Sequence, residues 1–162
     1  MQTISSVQKG VQAALIMTLL GAGLAAAHCQ IPCGIYGDEL RVALMEEHLR
    51  TIEKSMKQIP AMMESENPNQ VVRWVEAKEK HAEELSEIIT FYFMAQRIKP
   101  ASVQSKEAHA RYVKELTLLH QLLVTTMKAK QSTDLQQVAK AQTLLAAFRK
   151  SYLGDKVQTH TH

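Results

Sequence analysis

Both cysteines of this 162-residue chain fall in one short stretch, His28-Cys29-Gln30-Ile31-Pro32-Cys33-Gly34-Ile35-Tyr36-Gly37-Asp38. Two thiols with three residues between them, and with a proline and a glycine to turn the backbone, can converge on one ion as a small hook. If His28 is the first residue, its free amine and its imidazole join them. A terminal amine, the next backbone amide nitrogen and two thiolates make a roughly square-planar set of two nitrogens and two sulfurs. Such a set suits nickel(II) or copper(II) better than the tetrahedral preference of structural zinc. The same pair also fits a Cys29–Cys33 disulfide, which in an exported protein would only staple a short loop. Taken alone, the C-x3-C spacing leaves disulfide, inert thiols and metal ligation open.

What precedes His28 bears on that choice. Val11 to Ala27 (VQAALIMTLLGAGLAAA) is an apolar run broken only by Gln12 and Thr18, with Lys9 ahead of it. It is shorter than the about 20 residues a membrane span needs, and it ends in Ala25-x-Ala27, the small-residue exit of an export signal. Three readings compete: a cleaved leader, an uncleaved anchor and a helix of the fold. Gly21 and Gly23 weaken a continuing helix, so a leader or propeptide over residues 1–27 is the expectation. Cleavage after Ala27 makes His28 the new terminus and leaves no stable membrane span. Export, into a periplasm, is the expected location; a cytoplasmic protein with a removable propeptide is the alternative.

The elements that must position residues 28–37 are helical. Hydrophobic residues make up 46% of the chain and aromatics only 5%, which excludes a disordered chain and favours helices over sheets. Asp38 is expected to cap a helix reaching Ile59, stopped by Pro60, with Val42, Met45, Leu49, Ile52, Met56 and Ile59 spaced as a bundle seam. A loop through Ser65, Asn67, Pro68 and Asn69 leads to a second helix, about 70–98, with Val75, Ala82, Leu85, Ile89 and Tyr92 inward. A third, about 102–130, turns Tyr112, Leu116, Leu119, Leu123 and Met127 inward. Ser132, Thr133 and Asp134 cap a fourth, with the stripe Leu135, Val138, Leu145, Phe148 and Tyr152, that stops at Gly154. Short connections make neighbours antiparallel, so the expected fold is all-α: an up-down-up-down four-helix bundle over residues 38–154 behind an N-terminal metal-binding hook over residues 28–37. Residues 155–162 are expected to be a disordered tail.

The formal charge of +3 is slight and interspersed, which excludes a nucleic-acid footprint and favours a small anion as partner.

The string His28-Cys29-x-x-Pro32-Cys33-Gly34-x-Tyr36 resembles the nickel hook of the nickel-containing superoxide dismutases, whose precursors also carry a removable segment ahead of the histidine. Trp74, Lys78-Glu79, His81-Ala82-Glu83, Tyr92-Phe93 and His120-Gln121-Leu122 extend the resemblance over most of residues 28–150. It implies a small four-helix bundle assembled as a homohexamer, with one nickel ion per subunit held by the His28 amine, the Cys29 amide nitrogen and the sulfurs of Cys29 and Cys33. The His28 imidazole would be an axial ligand, and Tyr36 would stand over the open face, where its phenol holds water or an anion. Pro32 is expected to be cis. An acidic residue of the first helix, Glu46 or Glu47, would orient the imidazole, with His81 standing where some members have an arginine.

The reaction implied is dismutation of superoxide to dioxygen and hydrogen peroxide by nickel(III)/nickel(II) cycling, begun once a processing protease exposes His28. The alternative is an exported nickel or copper carrier using the same hook without turnover. Other conspicuous residues take plainer readings. A di-iron centre on the helical histidines would need glutamate three residues before each, where the chain has Met45, Lys78, Lys106 and Thr117. Met45 and Met56 belong to the core, and the Glu76–Glu87 run is a solvated helix face. Tyr92 is core, or else a partner of Tyr36.

Overall fold

The computed structural model describes residues 37–154. They form four helices and, among the described residues, no strand: α1 (Asp38–Glu64), α2 (Pro68–Glu87), α3 (Lys106–Lys130) and α4 (Leu135–Leu153). A π-helical segment, Ile88–Arg97, prolongs α2. Contacts of α1 with α2 and α4, and of α3 with α2 and α4, close the four into an up-down-up-down bundle.

α1 buries the whole expected seam, Val42, Met45, Leu49, Ile52, Met56 and Ile59. Met45 and Met56 are 0% and 1% exposed, so they are packing. Two details differ from expectation. The N-cap is Gly37, with no side-chain cap, because the carboxylate of Asp38 is used elsewhere. The helix also runs through Pro60 to Glu64. Pro60 sits exposed near the helix end, so its ring is accommodated on the solvent side and only one backbone hydrogen bond is forgone.

Asn67 caps α2 by accepting from the Gln70 amide at 3.3 Å, and Pro68 takes the first-turn position where a missing N–H is harmless. Ala82, Leu85, Ile89 and Tyr92 face inward, whereas Val75 is 37% exposed. The wider π turns rotate the inner face, so that Ile88 and Ile89, then Tyr92 and Phe93, are buried as adjacent pairs. Phe93 meets Phe148 edge-on at 5.0 Å and Tyr152 at 5.5 Å, and Phe148 stacks on Tyr152. Each such buried aromatic contributes roughly 1.5–3 kcal/mol from burial alone.

α3 begins at Lys106 and is rotated from the expected phase. Its buried positions are Glu115, Leu119, Leu122, Thr125, Thr126 and Ala129, while Met127 is 50% exposed. Two of the three inner polar residues have partners: Glu115 accepts from Arg111 at 2.8 Å and Ser151 at 3.3 Å, and Thr125 donates to the Gln121 carbonyl, whereas the buried Thr126 hydroxyl has none among the described residues. In α4 the Asp134 side chain caps through the Gln136 amide and Gly154 terminates at φ 72°, a left-handed turn suited to glycine. Val138, Ala141, Leu145 and Phe148 are buried, and Leu135 is exposed.

The charged run of α2 is not wholly a solvated face. Lys78 is buried, and its ammonium donates to the carbonyls of Ala129, Lys130 and Ser132 at the end of α3. A cation there satisfies carbonyls left over at a helix C-terminus, where the dipole favours positive charge.

Candidate functional site

The chemistry expected of His28, Cys29, Cys33 and Tyr36, and the leader and tail, lie outside the described residues. What the structure places is the ground directly behind them, starting at Gly37. There the Asp38 carboxylate joins three elements. It accepts from the Tyr92 hydroxyl at 2.5 Å and the Tyr152 hydroxyl at 2.9 Å, and Arg97 Nε lies 3.0 Å away. Arg97 Nη2 also donates to the Tyr92 oxygen at 3.0 Å.

The first residue of α1 is therefore tied to the π segment and to the last turn of α4. This fixes where the chain enters the bundle, one residue after Gly37. Tyr92 takes its core reading, with its ring 0% exposed, and its hydroxyl also serves a polar cluster. The other reading, a partner of Tyr36, lies outside the described residues.

Two arginines gather at this end. The guanidinium carbons of Arg97 and Arg41 lie 4.9 and 5.1 Å from the centre of the Tyr92 ring, a cation–π arrangement. Burial, reinforced by donation to Asp38, raises the pKa of both Tyr92 and Tyr152 above the ordinary 10.0.

Above pH 10.0 the unfolded chain therefore gives up these protons before the folded chain does, so the stability they contribute is lost as pH rises through that range. Spectrophotometric titration should show tyrosines still protonated at about pH 11, beyond the ordinary range. The denaturation midpoint should fall from about pH 10 upward, and more shallowly in Tyr152→Phe.

Some 15 Å along α1, by its rise of about 1.5 Å per residue, lies a second polar cluster. His48 Nδ1 of α1 stands 2.9 Å from His81 Nδ1 of α2, and Glu84 Oε2 lies 3.6 and 3.7 Å from the two nitrogens. Burial, then the neighbouring His81, lowers the pKa of His48 from 6.5, so its neutral form prevails near pH 7. A cleft of about 430 Å³ runs from Arg41 and Leu44 past His48 and Glu84 to Phe91, along the α1–α2 face.

Of the two acids expected to orient the His28 imidazole, Glu46 is paired with Arg149 at 3.0 Å and Glu47 is exposed, and their relation to His28 lies outside the described residues. The acid beside His81 is Glu84, from its own helix. A search keyed to glutamate three residues before histidine passes over this cluster, because here the order is His81-x-x-Glu84 and the other histidine comes from α1. Reading i, i+3 pairs in both directions would have found half of it.

Among the described residues no helix is long and apolar enough to cross a membrane. A family model described as nickel-containing superoxide dismutase matches residues 24–156. No curated protein and no solved structure gives a significant match.

Proposed function

The chain belongs to the nickel-containing superoxide dismutases, and from that premise we propose how its own residues carry out the reaction and what switches it on. The protein is an oxidoreductase that dismutates superoxide. Cleavage after Ala27 would free the His28 amine; that amine, the Cys29 amide nitrogen and the thiolates of Cys29 and Cys33 then hold one nickel per subunit. This donor set fits the metal: two soft thiolates and two nitrogens in a short loop favour a flat nickel(II) site. When bound, nickel supplies a nickel(III)/nickel(II) couple, through which two superoxide ions and two protons become one dioxygen and one hydrogen peroxide.

The rest is work for the chain. The His28 imidazole would add a further nitrogen donor from the same residue as the amine. The Tyr36 phenol would hold water or the incoming anion near the metal and pass on protons that the reaction consumes. Arg41 and Arg97, near the point where the hook joins α1, draw superoxide to this end of the bundle, an attraction that salt weakens. The Asp38 tether to Tyr92, Tyr152 and Arg97 gives the hook a fixed base.

The homohexamer is carried over from the family, and the exposed Met63 and Val72, which share one apolar hollow beside the α1–α2 turn, offer a surface for self-association. The leader supports export to a periplasm, with a cytoplasmic propeptide form as the alternative.

The observation that carries this reading is the family match from residue 24 to residue 156, which takes in the hook as well as the bundle. The test is superoxide decay with the chain beginning at His28, nickel-loaded and metal-free. Loading is expected to accelerate decay by at least about 1,000-fold, or ~4 kcal/mol in barrier. Tight nickel binding without acceleration would favour the carrier.

A further inference from the structure

We propose that His48, His81 and Glu84 form a second metal site, separate from the N-terminal hook, that binds a divalent cation of the zinc class and clamps α1 to α2. The argument is geometric. The three donor atoms, His48 Nδ1, His81 Nδ1 and Glu84 Oε2, form a triangle with edges of 2.9, 3.6 and 3.7 Å. A point equidistant from the corners of that triangle lies about 2.0 Å from each, which is the bond length zinc makes with imidazole nitrogen and carboxylate oxygen. An ion set slightly out of the plane keeps such distances to all three donor atoms, and a turn of each imidazole brings its Nδ1 lone pair onto the ion.

The contact between the two imidazoles points the same way. With Nδ1 atoms 2.9 Å and ring centres 5.1 Å apart, the two imidazoles meet nearly head-on, each nitrogen turned to the other and to Glu84 Oε2 rather than to solvent. Without a cation, one of the two must carry a hydrogen toward the other; with one, both lone pairs are used as donors. Glu84 is divided in a way that leaves its ligating atom free for this. Lys80 lies 3.8 Å from Oε1, on the solvent side, while Oε2 faces the histidines.

The surroundings suit an ion held by three protein groups with a position open to water. The His48 and His81 side chains are 13% and 28% exposed, shielded enough to hold a fixed geometry. The cleft past Arg41, Leu44 and Phe91 gives a path in from solvent. Two histidines and one carboxylate with an open position form a set that zinc accepts and that imidazole-preferring nickel and copper also tolerate. Since its ligands come from two helices, a bound ion joins α1 and α2 across their packed face and stabilises the folded state as its concentration rises.

The experiment uses the full chain carrying Cys29→Ser and Cys33→Ser, so the hook thiols cannot contribute and the outcome does not depend on dismutase activity. Zinc is titrated by calorimetry and, in parallel, by imidazole NMR. The expected result is one saturable equivalent per chain, with the His48 and His81 resonances shifting and those of His109 and His120 unmoved. The thermal midpoint should rise with zinc. Adding Glu84→Gln, which keeps the side-chain shape, should weaken binding at least about 10-fold, and His81→Gln about 100-fold or more. Absence of saturable binding would overturn the proposal. So would binding that neither variant alters, or shifts confined to His28, His160 and His162.

Discussion

A chain in which Ala27 is still joined to His28 is expected to show at least ~100-fold less nickel-dependent superoxide dismutase activity than the chain that begins at His28, more than losing an outer-shell partner usually costs. The reason lies in one nitrogen. In the uncut chain the His28 nitrogen is a peptide amide which, like that of Cys29, donates only after losing its proton, so the uncut hook would need two deprotonated amides where the trimmed one needs one. After cleavage it is an α-amine with an ordinary pKa of about 8, which gives up its proton readily at neutral pH and presents a full lone pair. The same cut also releases His28 from the geometry of an internal residue, so that amine and imidazole can address one ion together. Parallel superoxide-decay assays on the two nickel-treated forms measure the difference. Equal activity would show that the terminal amine is not a ligand.

Replacing either sulfur should be as severe. Cys33→Ser, or Cys29→Ser, is expected to bring the activity of the trimmed chain down by at least about 1,000-fold, or ~4 kcal/mol. A serine hydroxyl is close in size to a thiol, but it stays protonated near neutral pH and offers a hard oxygen where a soft, electron-rich thiolate is required. The hook would lose affinity and, with it, the donor strength that brings the oxidised metal within reach. Far-UV circular dichroism should be unchanged, because both cysteines precede α1 in the sequence and the four helices have a core of their own. If the serine variants keep activity, the thiolates are not the donors. If they lose helicity as well, the hook has a structural part that the present account does not give it.

The fold was legible where apolar spacing alone decides it. The α1 seam is buried residue for residue, and Asp134 and Gly154 delimit α4 as cap and stop. Legibility failed where polar residues do the work of core positions. Glu115, Thr125 and Thr126 face inward on α3, so a stripe drawn through apolar residues alone is out of phase and places Met127 inside. The π segment could not be read at all, since a wider turn leaves no periodicity of its own in ten residues.

Asp38 shows the same limit at the candidate site. An aspartate at a helix start reads as a cap, and only the fold reveals that Tyr92, Tyr152 and Arg97 claim its carboxylate, because they come from 54, 114 and 59 positions away in sequence. The hook, which lies outside the described residues, could be proposed from sequence for the opposite reason: its expected donors fall within six residues, and their chemistry depends on residue type and on a free terminus more than on tertiary packing. The His48, His81 and Glu84 cluster falls between these cases, local in one pair and remote in the third member.

The most direct test is nickel-edge X-ray absorption of the chain beginning at His28. Two sulfur and two to three nitrogen neighbours are the predicted shell, and the sulfur contribution should vanish stepwise as Cys29 and Cys33 are each replaced by serine. A shell of nitrogen and oxygen alone, or a tetrahedral one that persists unchanged in the uncut chain, would contradict the assignment of the metal to a terminus made by cleavage.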